Sequence, residues 1–161
     1  MENINMLEGK KILAVDDEED VLETLKELLP MCEVETATTY EQAWEALGTD
    51  YYDVAILDIM GVDGYRLLEL ANNRGIAAVM LTAHAISPEN IKKSFHGGAA
   101  LYLPKDEMIN ITTYLIDIME AKASGRNTWS RWFERLGAFF TARFGPEWEK
   151  KHKVFPDNYF Q

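Results

Sequence analysis

The feature that most constrains this chain is a repetition. Five times within the first 125 residues, a short apolar run is followed by a segment of helical periodicity. Residues 11–16 are apolar through Val15 and end in Asp16, which reads as a buried strand. Val21, Leu22, Leu25, Leu28 and Leu29 follow at helical spacing, and Pro30 stops that helix. Residues 34–37 form a weaker second strand. Thr38 and Glu41 have the spacing of a capping box and open a helix through Ala43, Trp44 and Leu47 to Gly48. Residues 54–58 are the clearest strand, and they too end in aspartate. A helix over 65–73 precedes a fourth strand over 77–82. Ser87 and Pro88 read as the N-cap and first residue of a helix that Gly97-Gly98 ends. A fifth strand over 100–103 leads to a last helix over 106–123. Strands joined this way through helices run parallel. The expected fold is α/β, a doubly wound five-stranded parallel sheet with helices on both faces. Ligands in such sheets bind beyond the carboxyl ends of the strands.

The polar residues gather at those ends. Asp16 and Asp17 close the first strand, Asp58 the third and Thr82 the fourth, and Lys105 follows the fifth. Three carboxylates at one sheet edge raise one another's pKa unless a cation neutralises them. Ligands that are all oxygen suit Mg²⁺, which takes one or two carboxylates plus water and phosphate oxygens. Lys105 adds a point charge and Thr82 a small hydroxyl. This set suits the transfer of a phosphoryl group onto a carboxylate. No Gly-rich loop follows the first strand, which argues against a nucleotide- or flavin-binding domain. An aspartyl phosphatase needs a second carboxylate two residues after its nucleophile, and that position here is Met60. His84, His96 and His152 share no metal-ligand spacing, and the single cysteine, Cys32, forms no internal disulfide.

In order along the chain, Asp16-Asp17-Glu18, Asp58 after Val-Ala-Ile-Leu, Asp63-Gly64, Met80-Leu81-Thr82-Ala83-His84-Ala85, and Gly98-Ala99 leading to Tyr102-Leu103-Pro104-Lys105 resemble one family. It is the receiver domain of two-component response regulators, and the likeness covers residues 10 to 123. The resemblance implies that Asp58 is the phosphoacceptor. It implies that Asp17 and Asp58 hold Mg²⁺, with Asp16 helping through water and the Met60 backbone carbonyl completing the shell. Thr82 and Lys105 would bind phosphoryl oxygens, and Tyr102 would change rotamer as Thr82 moves. The partner implied is a histidine kinase or a phosphotransfer protein. The protein would be a switch rather than an enzyme, assisting only its own phosphotransfer and dephosphorylation. Two features depart from the pattern. The loop after Asp58 is short and lacks the family's proline. The proline usually found after Lys105 instead precedes it as Pro104, with Asp106 following. A trans peptide after Lys105 is therefore expected, with the lysine aimed differently. These departures motivate an alternative, a receiver-like interaction module that is not phosphorylated and acts through its C-terminal helix.

Composition separates a second segment. Residues 1–125 hold 9 Lys/Arg and 23 Asp/Glu, whereas residues 126–161 hold 7 and 4 and carry 10 of the 18 aromatic residues. The expected organisation is a receiver domain over 1–125 and an aromatic helical extension over 126–161. Asn127 or Thr128 caps a helix that Gly145-Pro146 ends. Trp129, Trp132, Phe133, Leu136, Phe139, Phe140 and Phe144 share one face of it. That face needs burial. The choices are its own domain, a homodimer through this helix and the last receiver helix, or a partner or membrane surface. The membrane is disfavoured by the extension's modest positive charge. Trp148 adds a further turn, and residues 154–161 read as irregular and partly disordered. A net charge of -11 and the lack of a basic recognition helix argue against nucleic acid, so the expected output is an unknown downstream protein. With no secretory signal and no apolar run of roughly 18 residues, the expected location is the cytoplasm.

Overall fold

The computed structural model describes residues 4–160. A 3-10 turn over Ile4–Leu7 leads into β1 (Lys11–Val15), α1 (Glu19–Leu28), β2 (Glu33–Ala37), α2 (Tyr40–Thr49), β3 (Val54–Asp58), α3 (Gly64–Asn73), β4 (Ala77–Thr82), α4 (Pro88–His96) and β5 (Leu101–Pro104). All strand pairs are parallel, in the order β2-β1-β3-β4-β5. The chain reverses its direction across the sheet between β1 and β3, so the crevice opens there, beyond their carboxyl ends. Every residue of β3 is buried, as expected of a central strand covered on both faces. Among the helices, α2 packs with α3.

Three local readings are corrected. The cap of α2 lies one residue later than Thr38 and Glu41. Thr39 Oγ1 accepts from the Gln42 amide at 3.2 Å, and Gln42 Oε1 accepts from the Thr38 amide at 2.9 Å. The sequence Thr39-x-x-Gln42 carries the same spacing, and Glu41 remains exposed in the first turn. The last receiver helix also starts later than Asp106. A 3-10 turn over Lys105–Asn110 comes first, and α5 covers Ile111–Ser124. This tight turn brings the chain off β5 with Lys105 in the crevice. Glu107 Oε2 secures it by accepting from Asn110 Nδ2 and Tyr114 Oη, both at 3.2 Å. Ile109 lies on the turn, 72% exposed, and does not widen the apolar face of α5.

The third correction concerns the chain's end. Helix α6 (Trp129–Phe144) is followed by α7 (Trp148–Lys151). Asn127 Oδ1 accepts from the amides of Trp129 and Ser130. Gly145, at φ 95°, ends α6. Beyond α7 the chain is irregular but packed. Val154 is buried, and the rings of Phe155 and Tyr159 meet Phe95 of α4 edge-on at 4.9 and 5.2 Å. Large aromatic surfaces offset the entropy of ordering these residues.

The apolar face of α6 is covered by its own domain. Trp129, Trp132, Leu136 and Phe140 are buried in the common core, and the Phe140 ring lies 6.0 Å from that of Tyr102 in β5. Trp129 Nε1 donates to the Ala99 carbonyl at 2.9 Å and Trp132 Nε1 to the Tyr102 carbonyl at 2.6 Å, while the Thr128 hydroxyl donates to the Ala100 carbonyl. On the α5 side, Arg135 Nε and Nη2 grip the buried Asp117 carboxylate at 2.6 and 3.0 Å. An otherwise open sheet edge is thus closed by a helix. No described helix is long and apolar enough to cross a membrane.

Candidate functional site

The carboxyl ends of β1, β3, β4 and β5 converge. Buried Asp16 follows β1, and its Oδ1 accepts from the Glu18 amide at 2.9 Å, which also turns the chain into α1. Asp17 is exposed beside it. Asp58, 5% exposed, ends β3, and its Oδ2 accepts from the Gly61 amide at 2.9 Å. Carboxylate oxygens of Asp16, Asp17 and Asp58 all lie within 4.8 Å of one another. Lys105 Nζ enters this cluster, 2.9 Å from Asp16 Oδ2 and 3.6 Å from both Asp58 Oδ1 and Glu18 Oε2. Pro104 keeps extended dihedrals (φ -68°, ψ 144°), so β5 delivers Lys105 straight into the crevice. The described peptides are all trans, including the one after Lys105.

Thr82 ends β4, and its Oγ1 accepts from the Ala85 amide at 2.8 Å. Tyr102, fully buried in β5, donates its hydroxyl to the Ala85 carbonyl at 2.7 Å. Met60 is 66% exposed. Together with Asp17, Asp58, Thr82, His84 and Lys105 it lines a crevice of about 300 Å³. A larger concavity of about 840 Å³ lies beside residues 155–160. The three acids do not reach it, so the smaller crevice is the one with convergent chemistry.

The charges are under tension. Burial, reinforced by Asp16, pushes the Asp58 carboxyl up from its ordinary value, against the pull of Lys105 and the Gly61 amide. Burial likewise raises Asp16, opposed by the Glu18 amide and Lys105. Burial disfavours the charged Lys105, but Asp16, Asp58 and Glu18 together outweigh it and raise its pKa. One ammonium does not neutralise three carboxylates. An all-oxygen donor set with surplus negative charge fits Mg²⁺. Gly61 supports that fit. A Cβ there would sit 2.3 Å from Asp17 Oδ1 and 2.6 Å from Asp58 Oδ2, inside the cradle between the two carboxylates.

The short loop after Asp58 closes by the Gly64 amide donating to the Ile59 carbonyl at 3.1 Å, with Asp63 at φ 55°. Asp tolerates that left-handed conformation better than most residues. Gly64 is required because a Cβ would lie 2.3 Å from the Asp58 carbonyl oxygen.

The profile described as response regulator receiver domain matches residues 12–115. The chain belongs to this family. The receiver is 33% identical over 131 residues to the two-component response regulator ARR12 of Arabidopsis thaliana, covering 74% of this chain and 22% of that protein. It is 34% identical over 105 residues to ORR24 of Oryza sativa subsp. japonica, covering 60% and 16%. The chain thus spans about a fifth of the length of the curated relatives it matches. Among solved structures, a CheY-like receiver domain protein from Methanospirillum hungatei JF-1 aligns at a TM-score of 0.61 with 30% identity, covering 71% of this chain and 98% of that one. The Francisella response regulator 1452 receiver domain aligns at 0.63 with 24% identity, a likeness of fold, covering 71% and 99%. Helix α6 lies beyond the residues matched by the profile.

Sequence reasoning missed three contributors to the receiver site. Glu18 stands in the sequence only as part of the Asp16-Asp17-Glu18 run, with no role of its own, yet it shares Lys105 at 3.6 Å. Gly61 is an unremarked glycine three residues after Asp58. Ala85 acts through its backbone alone; its position three residues after Thr82, within reach of the hydroxyl, is the signal available.

Proposed function

We propose that this receiver is a phospho-acceptor switch, with residues 1–125 as the phosphorylated unit and residues 126–161 as a cap upon it. The observation that carries the reading is the convergence of Asp16, Asp17 and Asp58 around Lys105 at the carboxyl edge of the sheet. The donor is a phosphohistidine of a histidine kinase or phosphotransfer protein. An Asp58 carboxylate oxygen attacks phosphorus and forms a P–O bond as the P–N bond breaks. The departing imidazole nitrogen keeps the electron pair and takes a proton from solvent. Lys105 offers its ammonium to a phosphoryl oxygen. The Thr82 hydroxyl accepts from Ala85 and still has its own proton to donate. Asp17, Asp58 and the Met60 carbonyl would hold Mg²⁺, with Asp16 helping through water, and the ion would supply charge neutralisation to the transferring oxygens. The protein promotes only its own phosphorylation and dephosphorylation, and its output is protein–protein contact.

Intact-mass spectrometry after incubation with acetyl phosphate and Mg²⁺ tests this. Wild type should gain one labile phosphoryl group and Asp58→Asn none. Equal uptake by both proteins would disprove the assignment.

A further inference from the structure

The two parts of the molecule meet at Tyr102. Its backbone carbonyl accepts from Trp132 Nε1 at 2.6 Å, and its ring lies 6.0 Å from that of Phe140. Trp132 stacks on Phe140 at 5.4 Å, and neither ring is more than 1% exposed. On its other side, the Tyr102 hydroxyl holds the Ala85 carbonyl, and the Ala85 amide holds Thr82 Oγ1. A continuous series of short contacts therefore runs from α6 to a hydroxyl that lines the Asp58 crevice.

Resting on the phospho-acceptor reading, we infer that Trp132 and Phe140 of α6 are positioning residues for the phosphoryl site, acting through Tyr102 and Ala85 on Thr82. With Phe140 in place, the ring of Tyr102 is backed by another ring and its hydroxyl stays on Ala85. Removing Phe140 opens space beside Tyr102, and neighbouring side chains move into such space when they can. Ala85 then loses its donor, and the residues between β4 and α4 lose the bond that fixes the Thr82 hydroxyl. The sign of the coupling follows from the contacts. Thr82 already accepts from Ala85 and has its proton free for an oxygen ligand, so the docked tail favours the arrangement that receives a phosphoryl group. Coupling between binding sites is reciprocal. A phosphoryl group held by Thr82 therefore tightens α6 on β5 rather than releasing it.

The test uses the full chain with Mg²⁺ and beryllium fluoride as the phosphoryl mimic. Expected for wild type is slower hydrogen exchange in α6 when the mimic is bound. Phe140→Leu and the milder Trp132→Phe should bind the mimic more weakly, by about 5-fold or more for the former. Tyr102→Phe removes the link to Ala85 and should weaken binding as well. Adding Trp132→Phe to Tyr102→Phe should cost nothing further, because the two act in series. A role in stability alone would speed exchange equally with and without the mimic and leave its affinity unchanged. That result, or faster α6 exchange on binding, overturns the inference. Additive losses in the double variant overturn it too. A wild type that binds no beryllium fluoride overturns the phospho-acceptor reading, and this inference with it.

Discussion

Gly61→Ala separates the proposed Mg²⁺ cradle from the fold. Gly61 is not at positive φ, so an alanine backbone is tolerated there. The nearest atoms to the new Cβ all belong to two side chains: Asp17 Oδ1 at 2.3 Å, Asp17 Cγ at 2.5 Å and Asp58 Oδ2 at 2.6 Å. Ordinary carbon–oxygen contacts are about 3.3 Å or longer, so the Asp17 carboxylate must retreat by about 1 Å and that of Asp58 by about 0.7 Å. Asp17 is exposed and can swing, whereas Asp58 is buried and tied to the amide of residue 61. Mg²⁺ demands near-ideal octahedral geometry at about 2.0–2.1 Å, so displacements of this size move ligands out of its shell. Losing a supporting group near a metal typically costs about 10–100-fold in affinity, and displacing a ligand itself should cost at least that. The fold should barely change, because the strained atoms are side-chain ends and replacing glycine by alanine restricts the unfolded chain by about 0.4–1 kcal/mol. Calorimetric titration with Mg²⁺ and urea unfolding in EDTA measure the two quantities separately. Wild-type Mg²⁺ affinity in the variant would refute the cradle. Loss of the folded state in EDTA would refute its separation from the fold.

Other outcomes follow from neighbouring contacts. Gly64→Ala places its Cβ against the backbone oxygen of Asp58, which cannot swing aside, so urea unfolding should show a loss of about 1–3 kcal/mol. Asp16 and Asp58 have folded-state pKa values raised above 3.8, so their contribution to stability is full below the unfolded value and is lost as pH rises through the folded one. Metal-free thermal unfolding should show that decline from acid toward neutral pH, and Asp58→Asn should flatten it and stabilise the neutral protein. Arg135→Met leaves the buried Asp117 with Arg131 at 3.6 Å and should cost about 1–3 kcal/mol in urea unfolding. Asp117→Leu combined with Arg135→Met should recover most of that loss.

The sheet and its chemical edge were legible because both are written in local pattern. A strand buried on two faces must be continuously apolar, and the polar residue that ends it marks the crevice, as at Val15-Asp16 and Leu57-Asp58. The failures share a physical cause: they depend on what a residue meets across the fold. Thr38 and Thr39 offer equally spaced caps, and only the placement of Gln42 decides between them. Met108 and Ile109 read as part of α5, but residues 105–110 form a tighter turn that leaves Ile109 exposed and sets Lys105 against Asp16 and Asp58. The residues after α7 look like a frayed end until Phe95 supplies rings to meet them.

The aromatic character of α6 follows from what it must cover. An edge strand presents carbonyl groups that need donors, while a helix laid over a core must be apolar. Tryptophan satisfies both demands, with a large apolar body and one N–H. Its length matters as well. From Trp129 to Trp132 a helix rises about 4.5 Å. From Ala99 to Tyr102 an extended chain advances about 10 Å. The indoles make up the difference, their rings staying 4.9 Å apart while the two Nε1–H groups reach carbonyls three residues apart. Trp148 shows the limit of this logic, since its buried Nε1–H has no hydrogen-bond partner among the described residues. It is held by rings, Phe133, Phe140 and Phe144, all within 6.5 Å. The result is a sheet edge closed from within. A protein approaching β5 meets the polar outer face of α6, with Arg131 and Glu134 exposed, before it meets the receiver.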